Sequence, residues 1–381
     1  MIRLATLHDI DALVAIENQC FGSDILSRRS FRYLLTKGHA NTVLAEQDGR
    51  VCGYAMALYS AGTSMSRLYS LAVEPALRRR GIGLRLLQAI EQQATDQDCA
   101  SMRLEVRRDN VPAQSLFRKT GYKQFGAIAD YYEDHMDALR YEKSLAPHLE
   151  PDMVRVPYFQ QSLEFTCGPA AVMMAMHALD AGLSLDRKLE LRIWRESTTV
   201  FMTSGHGGCG PYGLAISAYH RGFDVEFYVN DDAALFVDSV RSDEKKEVIR
   251  LVQEDFTDEI KHSPIKVSYG ILSVAELQRR FEEGGIPVVL ISSYRIYKEK
   301  FPHWVVVTGF DDRFIYVHDP LVDTEAGETV TDSINMPILK KDFERMARYG
   351  KSSQRAALII KKKANVGTAT AALRRSTLRE G

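Results

Sequence analysis

The chain has 381 residues, 45% of them hydrophobic, and its 49 Lys and Arg nearly balance 50 Asp and Glu for a formal net charge of −1. That length suffices for two domains, and the even balance excludes the strongly basic surface of a nucleic-acid binder or a membrane-surface protein. No apolar run approaches the ~20 residues that span a bilayer, and MIRLATLHDID lacks the layout of a secretion signal, so a cytoplasmic protein with neither membrane nor nucleic-acid partners is expected. From Ile2 the pattern predicts a strand, then an amphipathic helix over about Asp9 to Cys20 with Ile10, Leu13, Val14 and Ile16 on one side. A second helix follows around Ser30 to Lys37. Two strands, Thr42 to Glu46 and Val51 to Tyr59, flank the turn signal Gln47-Asp48-Gly49, which makes an antiparallel start.

A third strand, Ser66 to Val73, breaks at Glu74-Pro75. The run Arg78-Arg79-Arg80-Gly81-Ile82-Gly83 then leads into a helix carrying Leu84, Leu86, Leu87 and Ile90 at helical spacing. Glycines at such a junction let backbone N–H groups approach a phosphate, and the helix dipole assists; a plain structural turn is the alternative. A dinucleotide fold would want a third glycine and a preceding parallel strand, which this segment lacks. Next, MRLEVRRDNVPAQSLFRKTGYKQFG reads as a strand, a helix starting at Asn110 and ending at Gly121, and a further strand.

The succession LAVEP, RRRGIG, LEVRRDN, AQSLFRKTGY resembles the GNAT superfamily of acetyl-CoA-dependent N-acetyltransferases, over about Met1 to Leu145. Within it the ribosomal-protein alanine N-acetyltransferases are the nearest likeness. The resemblance implies acetyl-CoA as co-substrate, with Leu71, Ala72 and Val73 pairing with the pantetheine arm. It likewise implies that Arg79, Arg80, Gly81, Ile82, Gly83 and Leu84 cradle the pyrophosphate, that Asn110 contacts the cofactor, and that Glu105 is the general base. A carboxylate suits that task, because an ammonium acceptor must lose a proton before it attacks a thioester. The bland alternative pairs Glu105 with Arg103 or Arg107. Where the family carries a tyrosine that protonates the leaving thiolate, this chain has Phe117, and a phenyl ring has no proton to give. Tyr122 or Tyr132 could substitute, the thiolate could leave unassisted, or this half could bind acetyl-CoA without much catalysis.

After a strand at Tyr141 to Leu145, the prolines and mixed charges of APHLEPDMVRVP mark a linker over 147–155. Then comes QSLEFTCGPAAVMMAM. Thr166 suits an N-cap, Gly168 and Pro169 suit a helix entry, and Ala170 to Met176 is apolar without a break, so Cys167 sits at a helix N-terminus. Unpaired N–H groups and the positive end of the macrodipole there favour a thiolate; the alternative is a packed small hydrophobe. The five cysteines, Cys20, Cys52, Cys99, Cys167 and Cys209, are scattered without zinc-ligand spacing, so reduced thiols and no metal are expected. Gln161, six residues upstream, is close enough to turn its amide toward the thiolate and an oxyanion. Downstream, PHWVVVTGFDDRFIYVHDP puts His303 at the head of one strand and Asp319 at the end of the next, and a hairpin joins those ends.

Gln161 and Cys167-Gly168, then His303-Trp304-Val305-Val306 with Gly309, then Asp319-Pro320, resemble the bacteriocin-processing double-glycine leader peptidases, a family of papain-like cysteine proteases. The resemblance implies Cys167 as nucleophile, His303 as general base, Asp319 as its orienter and Gln161 as oxyanion donor. Cys209, in GHGGCGP with His206 nearby, is the rival thiol, or else shapes the substrate groove. His318 is the rival base, read as a surface or structural residue. The stretch Asp243 to Asp258 reads as a charged helix with a solvated face; Val274 to Gly284 reads as a helix, Pro287 to Ser292 as a central strand, and the basic tail over 363–381 as a solvated end.

The expected fold class is mixed α/β (α+β) in two domains, a GNAT acetyltransferase fold over 1–146 and a papain-like peptidase fold over 156–362. The expected function is a bifunctional enzyme, an acetyl-CoA-dependent N-acetyltransferase and a cysteine peptidase acting on a peptide or protein. Two alternatives keep the same residues: a peptide-binding adaptor that does not cut, and a transpeptidase that passes the same thioester to an amine.

Overall fold

The structure, a computed structural model, describes residues 1–146, 152–198, 201–202, 205–230, 237, 242–324, 329–350 and 353–363. Most of the expected linker, residues 147–151, and the tail beyond 363 lie outside the described residues. Apart from Pro337–Leu339, which group with the first, the chain divides into two compact units at Glu150/Pro151.

The first unit runs β1 (Ile2–Leu4), α1 (Ile10–Cys20), α2 (Arg28–Thr36), β2 (Ala40–Gln47), β3 (Arg50–Tyr59), β4 (Met65–Val73), α3 (Ile82–Asp96), β5 (Ser101–Arg107), α4 (Val111–Lys119), β6 (Lys123–Ile128) and β7 (Ala138–Ser144). Its sheet has the order β1-β2-β3-β4-β5-β7-β6. The expected antiparallel start is present, and β4 with β5 forms the parallel pair. Along α3, Ile82, Leu86, Leu87, Ile90 and Ala94 recur at helical spacing and are buried; Leu84, expected on that stripe, faces out.

One irregularity shapes this sheet. Against β3, Met56 pairs with Ser70 and Ala57 with Leu68, so Tyr69 is an extra residue and β4 carries a bulge there. Pairing of β4 with β5 stops at Leu68 and Leu104, one residue before that bulge. Beyond it, Tyr69–Val73 and Glu105–Arg107 are not paired with each other, so the ladder is open between the two strands, and this open stretch is termed the cleft.

The second unit runs β8 (Asp152–Met153), α5 (Cys167–Leu179), α6 (Arg187–Ser197), β9 (Phe201–Met202), β10 (Gly205–His206), α7 (Pro211–His220), β11 (Phe223–Val229), α8 (Asp243–Lys261), β12 (Lys266–Tyr269), α9 (Val274–Glu282), β13 (Ile286–Ser292), α10 (Tyr294–Tyr297), β14 (Pro302–Phe310), β15 (Phe314–His318), β16 (Met336–Leu339), α11 (Lys340–Met346) and β17 (Ala356–Lys362). Among the described residues the main sheet has the order β12-β11-β17-β13-β14-β15-β16, with β8 added to β14. Val288, Leu290, Val306, Leu358 and Ile360 join one core cluster with α5 and α7. The alternate residues Val289, Ile291, Val305, Val307 and Ile359 are also buried, and α9 packs on β13 while α11 packs on β15. Both faces are covered, which is why these strands read as unbroken apolar runs.

Because Ala170 to Met176 is buried all round, α5 is a core helix rather than an amphipathic one. Helices with polar faces lie outside it. Asp186 caps α6 by accepting from the backbone of Lys188 and Leu189, and Ser242 caps α8 at Lys245. The α8 segment, expected as a solvated face, has an inner side as well, since Ile249, Gln253 and Ile260 are buried. Where α6 ends against α7, a Cβ on Gly213 would stand 2.6 Å from Ser197 Cα and 2.8 Å from its carbonyl oxygen. Gly213→Ala is therefore expected to destabilise the second unit by about 1–3 kcal/mol, read as a lowered urea midpoint with unchanged slope.

Candidate functional site

In the second unit, the hairpin of β14 and β15 pairs Val306 with His318 and Val307 with Val317, so the residue after β15 returns beside the head of β14. That residue is Asp319, and its Oδ1 lies 2.6 Å from His303 Nε2 with both side chains at most 1% exposed. The carboxylate is fully used: Oδ1 also accepts from the Leu321 N–H (2.8 Å), and Oδ2 accepts from the Tyr297 hydroxyl (2.9 Å). The rings of Tyr297 and Phe301 stand edge-on to the imidazole at 6.0 and 5.8 Å.

Burial alone would lower the His303 pKa. The charge and hydrogen bond of Asp319, followed by those of Cys167, outweigh it and push the imidazole up to about 10. With Nε2 committed to Asp319, Nδ1 is the ring nitrogen left for the sulfur. Cys167 itself opens α5, where the unpaired backbone N–H groups of a helix end gather. Gly168 is needed beside it, since a Cβ there would meet Leu214 Cδ1 at 3.0 Å and Trp304 Cδ1 at 3.1 Å.

The strap from Tyr158 to Thr166 ties this helix end to the aspartate. The Tyr158 hydroxyl donates to the Asp319 carbonyl (2.9 Å), and the Gln161 N–H donates to the Pro320 carbonyl (2.9 Å). One Nε2 hydrogen of Gln161 goes to the Leu163 carbonyl (2.9 Å), which leaves the other to donate, and its buried Oε1 has no partner among the described residues. Thr166 stands at the N-cap, yet its hydroxyl does not cap; it donates to Glu190 Oε1 (2.5 Å) and lies 2.9 Å from the Leu163 carbonyl. Glu190, on α6, also accepts from the Ser162 N–H (2.7 Å) and the Ser162 hydroxyl. Sequence reasoning missed Glu190, because a glutamate on a helix of mixed charge gives no sign of being buried.

The rivals hold other posts. Burial, with the Cys167 charge adding to it, raises the Cys209 thiol well above its ordinary value. Its carbonyl accepts from Trp304 Nε1 (3.1 Å), while Gly207 O accepts from Trp194 Nε1 (2.8 Å), so this loop packs the site's wall. The His206 side chain lies outside the described residues. His318 is structural and buried, not at the surface: Nε2 donates to the Val156 carbonyl (2.9 Å), and Nδ1 accepts from the Asn335 N–H (3.0 Å). Burial pushes it down to about 4, so it stays neutral.

In the first unit, the edge Tyr69–Val73 faces the cleft. Arg79 and Gly81 both have positive φ, 63° and 76°, and Gly81 is the left-handed residue from which α3 starts. Alternating backbone of this kind turns successive N–H groups to one side, a cradle for an anion at the helix N-terminus. Asn110 caps α4, accepting from the Ala113 N–H (3.2 Å). Glu105, across the cleft, accepts from Arg67 Nε (2.7 Å) and Arg140 Nε (3.0 Å), and not from Arg103 or Arg107, which pair with Glu142 and with Asp109 and Asp134. Arg67 also reaches the Tyr131 hydroxyl. Phe117 is buried against Tyr122, with ring centroids 5.6 Å apart. Tyr122 is itself buried, and burial together with the Glu91 charge raises its pKa, so it is a poor source of a proton for the cleft.

A family model described as the Acetyltransferase (GNAT) family matches residues 10–122, and one described as Peptidase_C39 like family matches 156–361. An N-alpha-acetyltransferase of Sulfolobus acidocaldarius is 31% identical over 148 residues, covering 36% of this chain and 88% of that protein. A [ribosomal protein bS18]-alanine N-acetyltransferase of Haemophilus ducreyi is 30% identical over 137 residues, covering 35% and 88%. Among solved structures, the ribosomal-protein-S18-alanine N-acetyltransferase from Escherichia coli aligns with 22% identity and a TM-score of 0.35, over 38% of this chain and 93% of that one. With more than half its length matched by the second model and its first unit matched by these relatives, the chain belongs to the Peptidase_C39 like family and carries a GNAT-family N-acetyltransferase domain ahead of it.

Proposed function

We propose that the chain is a bifunctional enzyme, an acetyl-CoA-dependent N-acetyltransferase joined to a cysteine peptidase that uses Cys167, His303 and Asp319. The observation that carries the peptidase half is the buried 2.6 Å His303–Asp319 bond beside a sulfur at the start of α5. An imidazole held protonated next to Cys167 places a positive charge beside the sulfur that attacks as a thiolate. That thiolate attacks the carbonyl carbon of a peptide or isopeptide bond; the Cys167 N–H and the second N–H of Gln161 Nε2 receive the oxyanion. As the C–N bond breaks, the His303 proton passes to the departing amine. Water then gives a proton to His303, its oxygen attacks the thioester, and the acid leaves with the thiolate restored.

In the first unit, acetyl-CoA supplies an activated acyl group. The edge at Leu71, Ala72 and Val73, unpaired with β5, suits the amides of its pantetheine arm, although the Val73 carbonyl already accepts from Arg78 Nε (3.1 Å) and Cys20 Sγ (3.3 Å), and the cradle from Arg79 to Leu84 suits its pyrophosphate. Glu105 takes the proton of the acceptor ammonium, directly or through water. The names of the relatives, an N-alpha-acetyltransferase and a ribosomal-protein alanine acetyltransferase, support a terminal α-amine of a protein or peptide as acceptor. Labelling by an iodoacetamide probe tests the thiol assignment. The signal is expected on Cys167 and lost in Cys167→Ala; equal labelling of both proteins, mapping to Cys209 or elsewhere, would overturn it.

A further inference from the structure

We infer that Glu190 is a positioning residue for the oxyanion side of the Cys167 site, an inference that rests on the cysteine-peptidase reading. Glu190 lies in the first turn of α6 and is 0% exposed. Its partners are the Ser162 N–H, the Ser162 hydroxyl and the Thr166 hydroxyl, and among the described residues no cation pairs with it. A buried carboxylate without a cation is costly, and a well-packed apolar side chain serves stability as well or better. What this carboxylate has in return is hold of two residues that bracket Leu163, within the strap between Gln161 and Cys167.

The strap's geometry gives that hold a purpose. Gln161 is fixed on one side through its N–H to Pro320, next to Asp319, and on the other by Ser162 on Glu190. Its amide is steered by the Leu163 carbonyl, which takes one Nε2 hydrogen and leaves one to donate. The Thr166 hydroxyl lies between two acceptors, Glu190 Oε1 at 2.5 Å and that same Leu163 carbonyl at 2.9 Å, and has a single proton. A carboxylate claims that proton, which leaves the two lone pairs of the Leu163 carbonyl to the Thr166 N–H (3.2 Å) and the Gln161 amide (2.9 Å). Without the carboxylate, the Thr166 hydroxyl turns to Leu163 as a third donor on a carbonyl with two lone pairs, competes with the glutamine amide and loosens the oxyanion donor. Glu190 thus acts through Gln161 and touches no reacting atom.

The test separates steps that need an oxyanion donor from one that does not. In the full-length chain, iodoacetamide reports the Cys167 thiolate by displacement at carbon, with no oxyanion; p-nitrophenyl acetate reports acylation, which passes through one. For Glu190→Gln, alkylation of Cys167 and its pH profile are expected to stay within about twofold of wild type, while acylation falls about 10²-fold, the effect of losing one oxyanion donor. Gln161→Ala gives a loss of the same size, and the double variant falls no further. Glu190→Asp restores part of the rate. Thr166→Val, which keeps the carboxylate and removes one donor, gives a smaller loss and serves where Glu190→Gln fails to fold. The inference is overturned if acylation is unchanged, if alkylation and acylation fall together, or if the two single losses multiply. Release of p-nitrophenolate that survives in Cys167→Ala would instead bring down the peptidase reading itself.

Discussion

Asp319→Asn is expected to strip His303 of its proton at neutral pH and to lower peptidase turnover by about 10²–10⁴-fold. The direction follows from opposed forces on one ring. Burial lowers the imidazole, and the Asp319 charge with its hydrogen bond is the main reason it rises to about 10. An amide at 319 keeps the shape of the side chain and the burial while removing the charge, so His303 falls toward or below its ordinary 6.5. The protonated acid that serves the leaving amine is then scarce at neutral pH, and the thiolate loses its counter-charge. An NMR titration of His303 checks this: the wild-type ring stays protonated toward about 10, and the variant titrates below neutral. A variant ring that still titrates near the wild-type value would refute it.

The same substitution changes the pH dependence of folding. A histidine whose folded pKa is raised from 6.5 to about 10 adds stability that is whole below the lower value and is lost as pH climbs through the upper one. In wild type that contribution, a few kcal/mol for a shift of this size, shrinks across the alkaline window. In Asp319→Asn it is missing throughout, so urea midpoints of the two proteins converge at high pH and separate near neutrality.

What the residues disclosed, and what they hid, divides along a physical line. The spacing of Gln161, Cys167, His303 and Asp319 was legible because each sits where local pattern fixes its place: a helix start, a strand head, the residue after a returning strand. The end of β4–β5 pairing was not legible, since the bulge at Tyr69 beside it has no glycine or proline to announce it. Partner choice was harder. Glu105 has Arg103 and Arg107 two positions away along its own strand, yet its carboxylate takes Arg67 and Arg140 from the neighbouring strands β4 and β7. Cross-strand register decides that, and register is a tertiary quantity. Glu190 and Tyr297 were invisible for the same reason: their value lies in partners 22 to 28 residues away.

Glu105→Gln is expected to reduce acetyl transfer by about 10²–10⁴-fold while leaving acetyl-CoA affinity within about twofold. The split arises because the residues suited to the cofactor, Leu71 to Val73 and Arg79 to Leu84, sit on β4 and at the start of α3, whereas Glu105 is on β5 across the cleft. A glutamine there keeps the length of the side chain but has no oxygen able to take an ammonium proton. It also leaves Arg67 and Arg140 facing an amide, so the acceptor amine meets more positive charge as it approaches. Loss of turnover should therefore come with a raised KM for a peptide bearing a free N-terminal alanine, while calorimetric binding of acetyl-CoA is preserved. Raising pH deprotonates the amine in solution and should recover part of the rate in the variant more than in wild type, since that is the step proposed for the carboxylate. Equal pH profiles in the two proteins would mean that Glu105 only braces the two arginines, and that the proton leaves by another route.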